Sequence, residues 1–355
     1  MNKSMKIISL TKYSYKGASS RYRFYNFKYL FKKKNISYVV KPLLNNNYLE
    51  DLYLNKKKNI FNIFFCYVSR IFILFTLGQY NKIIIEKELL PYIPLIEYFF
   101  FKIYKSKIYL DYDDYVFDNY KFKFSITRKL FKNKFKFILT NSKGVIVGNN
   151  FLKKYVIQYN KNVKVIPTLV NINNYKNIYL QKNKIISIVW IGTPTTIKYL
   201  EDLIPALISL RKNLNFNLII VGGKLKNNLS FVKYLDWSEE TEVKILRSCH
   251  IGIMPLDNST WSKGKCGLKI LQYMAASLPV VVSATGANKD IVSHDFDGFL
   301  ANDHKQWIEY LTELINNDLL REKLGYNGYK KVINYYSYEN NFPKLLSFLE
   351  INADS

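Results

Sequence analysis

Three lysines crowd one short run of the chain, Ser262-Lys263-Gly264-Lys265-Cys266-Gly267-Leu268-Lys269. The run leads into Ile270-Leu271-Gln272-Tyr273-Met274-Ala275-Ala276, which has helical period, and breaks at Ser277-Leu278-Pro279 before Val280-Val281-Val282. The pattern predicts a buried helix over Cys266–Ala276, with Lys265 and Lys269 one turn apart at its start. Gly264 and Gly267 let backbone come close to a ligand. The amino end of a helix is already positive and normally attracts acids. Lysines placed there make sense around a multivalent anion such as a diphosphate. The competing reading is a coding bias that scatters lysine along the whole chain.

A second anion-binding candidate is Trp190-Ile191-Gly192-Thr193-Pro194-Thr195-Thr196. It reads as a strand end, a glycine turn and a helix start, where free N–H groups and the helix dipole suit a phosphate. Every strand-to-helix unit needs such a turn, so Gly192 and Thr193 mark either a phosphate loop or a plain connection. Lys198, at the start of the same helix, either reaches that anion or is a solvated surface lysine. Leu110-Asp111-Tyr112-Asp113-Asp114 ends another strand. Close carboxylates raise one another's pKa, which suits one of Asp111, Asp113 and Asp114 to orient hydroxyls or assist proton transfer; a turn-and-capping cluster is the alternative. Gly17, Arg21 and Arg23 either close over a diphosphate or open an ordinary amphipathic helix. His250, His294 and His304 form no triad with serine or cysteine, and His250 reads as structural. Asp111-Tyr112-Asp113 has only the letters of a metal-binding D-x-D. Cys66, Cys249 and Cys266 show neither CxxC nor Cys/His metal spacing, which argues against zinc and against a disulfide framework.

Such residues need a scaffold that gathers strand ends. Strand-like runs occur at Met5–Leu10, Tyr38–Pro42, Lys82–Glu86, Lys107–Leu110, Val145–Gly148 and Val163–Ile166, with helix-length stretches between most of them. The pattern restarts after an Asn-rich stretch over 171–184. Strands at Ile185–Ile191, Asn217–Val221, Gly252–Met254 and Val280–Ser283 then alternate with helices near Thr196–Asn213, Glu239–Ser248 and Cys266–Ala276. Alternation of this kind predicts parallel sheets covered on both faces. The 355 residues therefore divide into a domain over 1–170, a linker over 171–184, a second domain over 185–335 and a final helix over 336–355 that returns to the first domain. Doubly wound sheets bind ligands outside the carboxyl ends of their strands, so a cleft between two such domains is the expected site.

Hydrophobic residues make up 48% of the chain, which excludes a disordered protein. Lys and Arg number 53 against 27 acids, a net charge of +26. The abundance of Lys, Asn, Ile, Tyr and Phe fits AT-rich coding, yet such a bias leaves the shortage of acids unexplained. A surface this basic attracts phosphates, anionic lipid or nucleic acid whatever its origin. Basic-aromatic stretches at Arg21–Lys34 and Lys121–Lys136 suit an anionic bilayer surface, and equally single-stranded nucleic acid. Asn59–Gly78 is about long enough to span a membrane, but Arg70 sits mid-segment beside Ser69, with Asn62 and Thr76 nearby. A charge there is costly in lipid, and a packed or interfacial helix with a wet stripe is expected instead. The start, MNKSMKIISLTKYS, has too short an apolar run for a signal-peptide core. A cytoplasmic location is expected, with or without peripheral attachment to the inner face of the plasma membrane.

From Ile185 onward the chain resembles the nucleotide-sugar-binding domain of the family 4 retaining glycosyltransferases of GT-B type. The similarity is carried, in order, by IVWIGTPTTIKYLEDLIPAL, NLIIVGG, DWSEETEVKILRSCHIGIMPL, GKCGLKILQYMAASLPVVVSATGANKDIV and Leu320-Arg321…Gly325…Tyr335-Tyr336-Ser337. The N-terminal half resembles the family more loosely, through KGASSRYRF, LDYDDYVF and VIVGNNFL. The resemblance implies an α/β fold of GT-B type: two Rossmann-like, doubly wound parallel-sheet domains facing across a cleft. It implies a UDP- or GDP-sugar donor on the C-terminal domain and a glycan or lipid-linked acceptor on the N-terminal one. The implied product is a cell-envelope polysaccharide such as lipopolysaccharide or capsule. The implied reaction is a retaining, hexosyl-type transfer without cofactor or bound metal, and without a nucleic-acid partner.

Position by position, Gly192 falls on the family's phosphate-loop glycine and Lys198 on its phosphate-binding lysine, while Thr193 stands where arginine is usual. Gln272 falls on the second glutamate of the E-x7-E signature, expected at the nucleotide ribose, and Gly264 on the first, so that carboxylate is missing. Lys269 matches a subgroup whose signature begins K-x-x-E-Y-M-A. Lys265 and Gly267 complete the donor site implied, with Gly17 and Arg21 closing from the other domain. Asp113 lies roughly where relatives carry a His-Asp pair near the sugar. The implied catalytic set is Asp113, Lys198 and Lys269, with Lys265 helping to stabilise the departing diphosphate. The lost glutamate and arginine leave a catalytically silent, basic binding subunit as the rival reading, and nucleic-acid binding as a third.

Overall fold

The computed structural model describes residues 5–53, 56–120, 131, 133–176 and 182–351. Two compact units divide the chain: Met1–Thr168 together with Asn341–Ser355, and Leu169–Asn340. The N-terminal unit holds six parallel strands, β1 Lys6–Tyr13, β2 Ser37–Leu44, β3 Lys82–Glu86, β4 Ile108–Tyr112, β5 Gly144–Val147 and β6 Val163–Val165. Their order is β2-β1-β3-β4-β5-β6. β5 is buried along its whole length and reads as an unbroken apolar run, as a strand covered on both faces must. The order reverses at β1, so the loops after β1 and β3 flank the switch point of the sheet, where such folds gather their polar groups. From Asn341 onward the last helix belongs to this unit: Phe342 packs edge-on against Phe31, ring centroids 4.9 Å apart, and Phe348 against Tyr109 at 5.6 Å.

The C-terminal unit repeats the plan with β7 Ser187–Ile191, β8 Asn217–Val221, β9 Val232–Leu235, β10 Ile251–Met254, β11 Val280–Ser283 and β12 Gly298–Ala301. All are parallel, in the order β12-β11-β10-β7-β8-β9, with the switch point between β7 and β10. Successive residues of β7 and β8 serve opposite faces. Val189, Ile191, Ile219 and Val221 enter one core, and Ile188, Trp190, Leu218 and Ile220 the other. Two Rossmann-like, doubly wound sheets are thus present, as expected from the alternation of strands and helices.

Several expectations change in detail. β9 and β12, each four residues long, escape the strand pattern; β9 is a sheet edge that stays partly exposed. The helix opened at Gly17, Arg21 and Arg23 is short, Ala18–Arg23, and a 3-10 turn separates it from a second, Lys28–Lys33. Asn59–Gly78 forms the helix Ile60–Phe75, but Arg70 is not on a wet stripe. Its guanidinium is buried and donates to the carbonyl oxygens of Thr11 at 2.7 Å and Lys41 at 3.1 Å. Among the described residues no helix is long and apolar enough to cross a membrane.

The helix Leu268–Ala275 is buried over six of its residues and is pressed from outside by the helix Asp318–Tyr335. That approach depends on Gly325, where a Cβ would collide with the carbonyl oxygen of Ser277. Overpacking of this kind typically costs about 1–3 kcal/mol. Gly325→Ala is expected to lose that much stability, seen as a lower urea midpoint with an unchanged slope.

Candidate functional site

In the C-terminal unit, the loops after β7 and β10 converge at the switch point. The helix Leu268–Ala275 starts two residues later than its sequence suggests. Gly267 stands ahead of it with φ +66°, a left-handed conformation that favours glycine, and a Cβ there would strike Ile291. Lys265 therefore precedes the helix instead of sharing a helical face with Lys269. Its ammonium lies 5.5 Å from the Trp261 ring. Lys269, in the first turn, is half-buried, with its ammonium 4.4 Å from the centre of the Trp190 ring and 3.5 Å from the Thr196 hydroxyl. Burial, with Lys265 adding like-charge repulsion, pushes the Lys269 amine down to about 7. The strand end, the following loop and the second helix thus meet around one cation.

Gly192 and Thr193 do not offer the free amides of a phosphate loop. The Gly192 N–H donates to the Val221 carbonyl at 2.9 Å, and the Thr193 N–H to the Thr196 hydroxyl at 3.1 Å. Glycine is required at 192 because a Cβ would run into the Trp190 indole. The indole that stacks on Lys269 therefore also fixes the residue type at the turn. Lys198 is exposed, 4.9 Å from the Tyr199 ring. Asp257 lies within its field: burial pushes this carboxyl up, but Ser259, Ser262 and then Lys198 hold it below its usual range. The Ser262 and Tyr199 hydroxyls lie 3.3 Å apart, which ties this loop to the helix Ile197–Arg211.

Gln272 is buried and committed to an internal partner. Its amide donates to Glu242 at 2.5 Å, and the other Glu242 oxygen accepts the Trp237 indole N–H at 2.6 Å. Sequence reasoning missed Glu242. It sits behind Glu239 and Glu240 in the first turn of the helix Glu239–Ser248, where acids are welcome at the dipole. Only its burial singles it out. His250 is structural: its Nδ1 accepts the Ser187 N–H at 3.1 Å, and burial pushes the imidazole down to about 4.

The N-terminal unit answers with a self-neutralised cluster at its own switch point. Asp111 is buried and takes both arms of Arg23, from Nε at 2.9 Å and Nη2 at 2.7 Å. Arg23 Nη1 donates to the carbonyls of Ile166 and Pro167, each at 2.8 Å. Arg21 is likewise buried, its guanidinium 5.6 Å from the Tyr15 ring and 5.3 Å from Tyr22. The two arginines expected over a diphosphate are therefore spent inside their own unit. Gly17 precedes their helix, where a Cβ would lie 2.5 Å from that of Tyr13. Asp113 pairs with Lys87 at 2.9 Å and accepts from Ser19 at 2.5 Å. Burial pushes this carboxyl up, but Lys87, Ser19 and Arg23 outweigh it and hold it at about 2. Lys87 pairs with both Asp113 and Asp114, whereas Asp111 is pushed up to about 6, chiefly by burial and against Arg23, with Asp113 and Glu86 adding to the rise. Glu86 accepts from Ser20 at 2.5 Å and the Lys12 N–H at 2.8 Å, and shares the Ser19 hydroxyl with Asp113, at 2.8 Å. Glu86 and Lys87 went unnoticed in the sequence, although a charged pair ending an apolar strand at the carboxyl edge is a signal.

Residues 186–317 match the family model described as Glycosyl transferases group 1. An uncharacterized glycosyltransferase of Methanocaldococcus jannaschii is 29% identical over 218 residues, which make up 58% of this chain and 58% of that relative. A solved glycosyltransferase of Rickettsia africae aligns over 99% of this chain and 100% of its own, with TM-score 0.70 and 17% identity. HepE of Anabaena, solved with UDP and glucose, aligns over 98% and 99% with TM-score 0.67 and 14% identity. At such identities these structures establish the fold, which is GT-B. The matched segment holds Gly192, Thr193, Lys198, Lys265, Gly267, Lys269 and Gln272; Gly17, Arg21 and Asp113 lie outside it. The Asp111–Arg23 pair has a testable cost. Removing one partner of a buried ion pair strands the other, typically at about 3–5 kcal/mol, so Arg23→Ala is expected to lower unfolding stability by that order in urea titrations.

Proposed function

We propose that the protein takes a sugar from a UDP- or GDP-sugar and passes it to a glycan or lipid-linked acceptor in the assembly of a cell-envelope polysaccharide. The observation that carries this reading is Lys269. Half-buried at a helix start and repelled by Lys265, it gains most from a bound polyanion. The solved HepE complex contains UDP and glucose, which supports the same donor class. When the bond from the anomeric carbon to the diphosphate breaks, negative charge gathers on the leaving oxygens. Lys265, Lys269 and the adjoining helix start face that charge without rearrangement, and Lys198 adds to it from the neighbouring helix. The reading calls for no cofactor or metal, and takes the transfer to be retaining and of hexosyl type. The acceptor is assigned to the N-terminal unit, where Asp113, held as a carboxylate, orients hydroxyls and does not donate a proton.

Glycine at 264 and the internal engagement of Gln272 favour a second reading, a silent subunit that binds nucleotide without turning it over. Melting curves with UDP, GDP and their sugars test the first step. A nucleotide at a hundred times its Kd adds about 2.7 kcal/mol, and an unchanged midpoint with all of them ends both readings. Release of UDP or GDP from the sugar nucleotide then distinguishes the enzyme from the silent subunit. Lys265→Ala and Lys269→Ala are each expected to raise the Kd roughly tenfold, the order of one charge-assisted contact.

The same lysine sets a pH dependence. Its amine is at about 7 in the free protein, and a diphosphate raises it, so binding takes up a proton. Affinity for a UDP-sugar, which does not titrate near neutrality, is expected to be flat below about pH 7. It then weakens as pH rises toward the bound pKa, and in Lys269→Ala this slope disappears. Calorimetry in buffers of different ionisation enthalpy reads the proton uptake directly.

A further inference from the structure

The N-terminal unit carries a second surface that donor chemistry leaves unused, the outer face of the helix Ile60–Phe75. Ile60, Phe61, Phe64, Phe65, Phe72 and Phe75 are each 60–78% exposed. Positions 61, 64, 65, 72 and 75 follow one helical stripe, while Cys66, Arg70 and Leu74 take the inner face. The patch continues onto the helix Pro94–Tyr104: the Phe75 ring meets Phe100 at 5.8 Å, Phe100 meets Phe99 at 5.5 Å, and Phe99 and Ile103 are more than half exposed. Soluble proteins rarely leave so many large apolar side chains together in water.

Charge selects the occupant. The run over 56–79 contains Lys56, Lys57, Lys58 and Arg70 and no acid. The three lysines are exposed just ahead of the helix, and Lys102 and Lys105 are exposed on either side of Ile103. A second copy docked through this stripe would bring the same lysines together and add repulsion. A bilayer with anionic headgroups satisfies both features at once. We propose that this face seats the protein peripherally on an anionic membrane. The 16-residue helix, roughly 24 Å long at 1.5 Å per residue, lies in the plane of the interface with its phenylalanines in the acyl boundary and the lysines at phosphates. The bonds from Arg70 to Thr11 and Lys41 hold the helix to the ends of β1 and β2, so the docked face is rigid with the sheet. The stretch over 21–34 is the poorer candidate, because Phe24, Phe27, Leu30 and Phe31 are buried there. In the other basic-aromatic stretch, residues 121–130 and 132 lie outside the described residues, and Phe131, Lys134 and Phe135 are buried.

The inference stands apart from the sugar-transfer reading and is tested without activity. The full chain is sedimented with vesicles of phosphatidylcholine, with and without phosphatidylglycerol. Binding is expected to be at least about tenfold tighter to the anionic vesicles. The triple variant Phe61→Ser, Phe64→Ser, Phe72→Ser is expected to lose about a hundredfold or more, and Lys56→Glu, Lys57→Glu, Lys58→Glu about tenfold or more. Both variants change exposed residues and should keep the parental melting midpoint and nucleotide binding. Undiminished binding by the phenylalanine variant overturns the proposal, as does equal binding to both vesicle types. A dimer that ignores vesicles and dissociates in the phenylalanine variant overturns it too.

Discussion

A cation fixed at the positive end of a buried helix is the constraint around which the C-terminal unit is arranged. Lys269 cannot be relieved by moving its backbone. Gly267 turns the chain into the helix through a left-handed conformation packed against Ile291, and Gly325 clamps its far end against Ser277. On the sheet side, the Tyr273 hydroxyl accepts the Ile191 N–H at 2.9 Å, at the carboxyl end of β7. Trp190 closes the remaining side and, through its indole, dictates glycine at 192. Sites that are rigid before the ligand arrives lose nothing to reorganisation when charge develops. The packing of this helix and the proposed chemistry are therefore one design problem.

The two units solve the same topological position in opposite ways. At the switch point of the N-terminal sheet the buried carboxylates are met within the unit: Asp111 by Arg23, Asp113 by Lys87, and Glu86 by serine hydroxyls and a backbone amide. Such a network resists both ionisation change and movement. It suits the presentation of hydroxyl-binding groups more than the gripping of a polyanion. At the C-terminal switch point, by contrast, Lys269 has Thr196 and the Trp190 ring beside it and no acid paired with it among the described residues.

How much of this the sequence discloses follows from the range of the interactions. β3, β8 and β11 and the helix Glu239–Ser248 are read to the residue, because a buried parallel strand and a capped amphipathic helix are local patterns. The lysines around Gly267 stand out because they contradict the helix dipole, another local rule. What escapes is set by contacts across long separations. Nothing near Arg23 in the chain announces that Asp111 will claim it, and nothing near Gln272 announces Glu242. At Gly192 the need for glycine has a packing reason the turn pattern does not show, since its side-chain space is taken by Trp190, two positions earlier and on the strand itself. Arg70 shows the reverse error, a charge read as facing water that instead turns inward to backbone carbonyls and leaves the phenylalanines outside.

The lysine excess can be sorted on the same physical basis. A coding bias strews lysines over exposed positions, where a charge costs little. It does not place them where water is excluded, because desolvation there is expensive unless a partner offsets it. Lys134 is fully buried and has Glu88 at 2.5 Å and Glu97 at 2.9 Å. Lys87 is buried and has Asp113 and Asp114 at 2.9 and 3.3 Å. Lys269 is half-buried, and among the described residues the nearest ionic influence on it is another lysine. Two of the three are accounted for by acids inside the protein. For the third, no acid does so among the described residues, and the proposed diphosphate has the charge to serve Lys265 and Lys269 together.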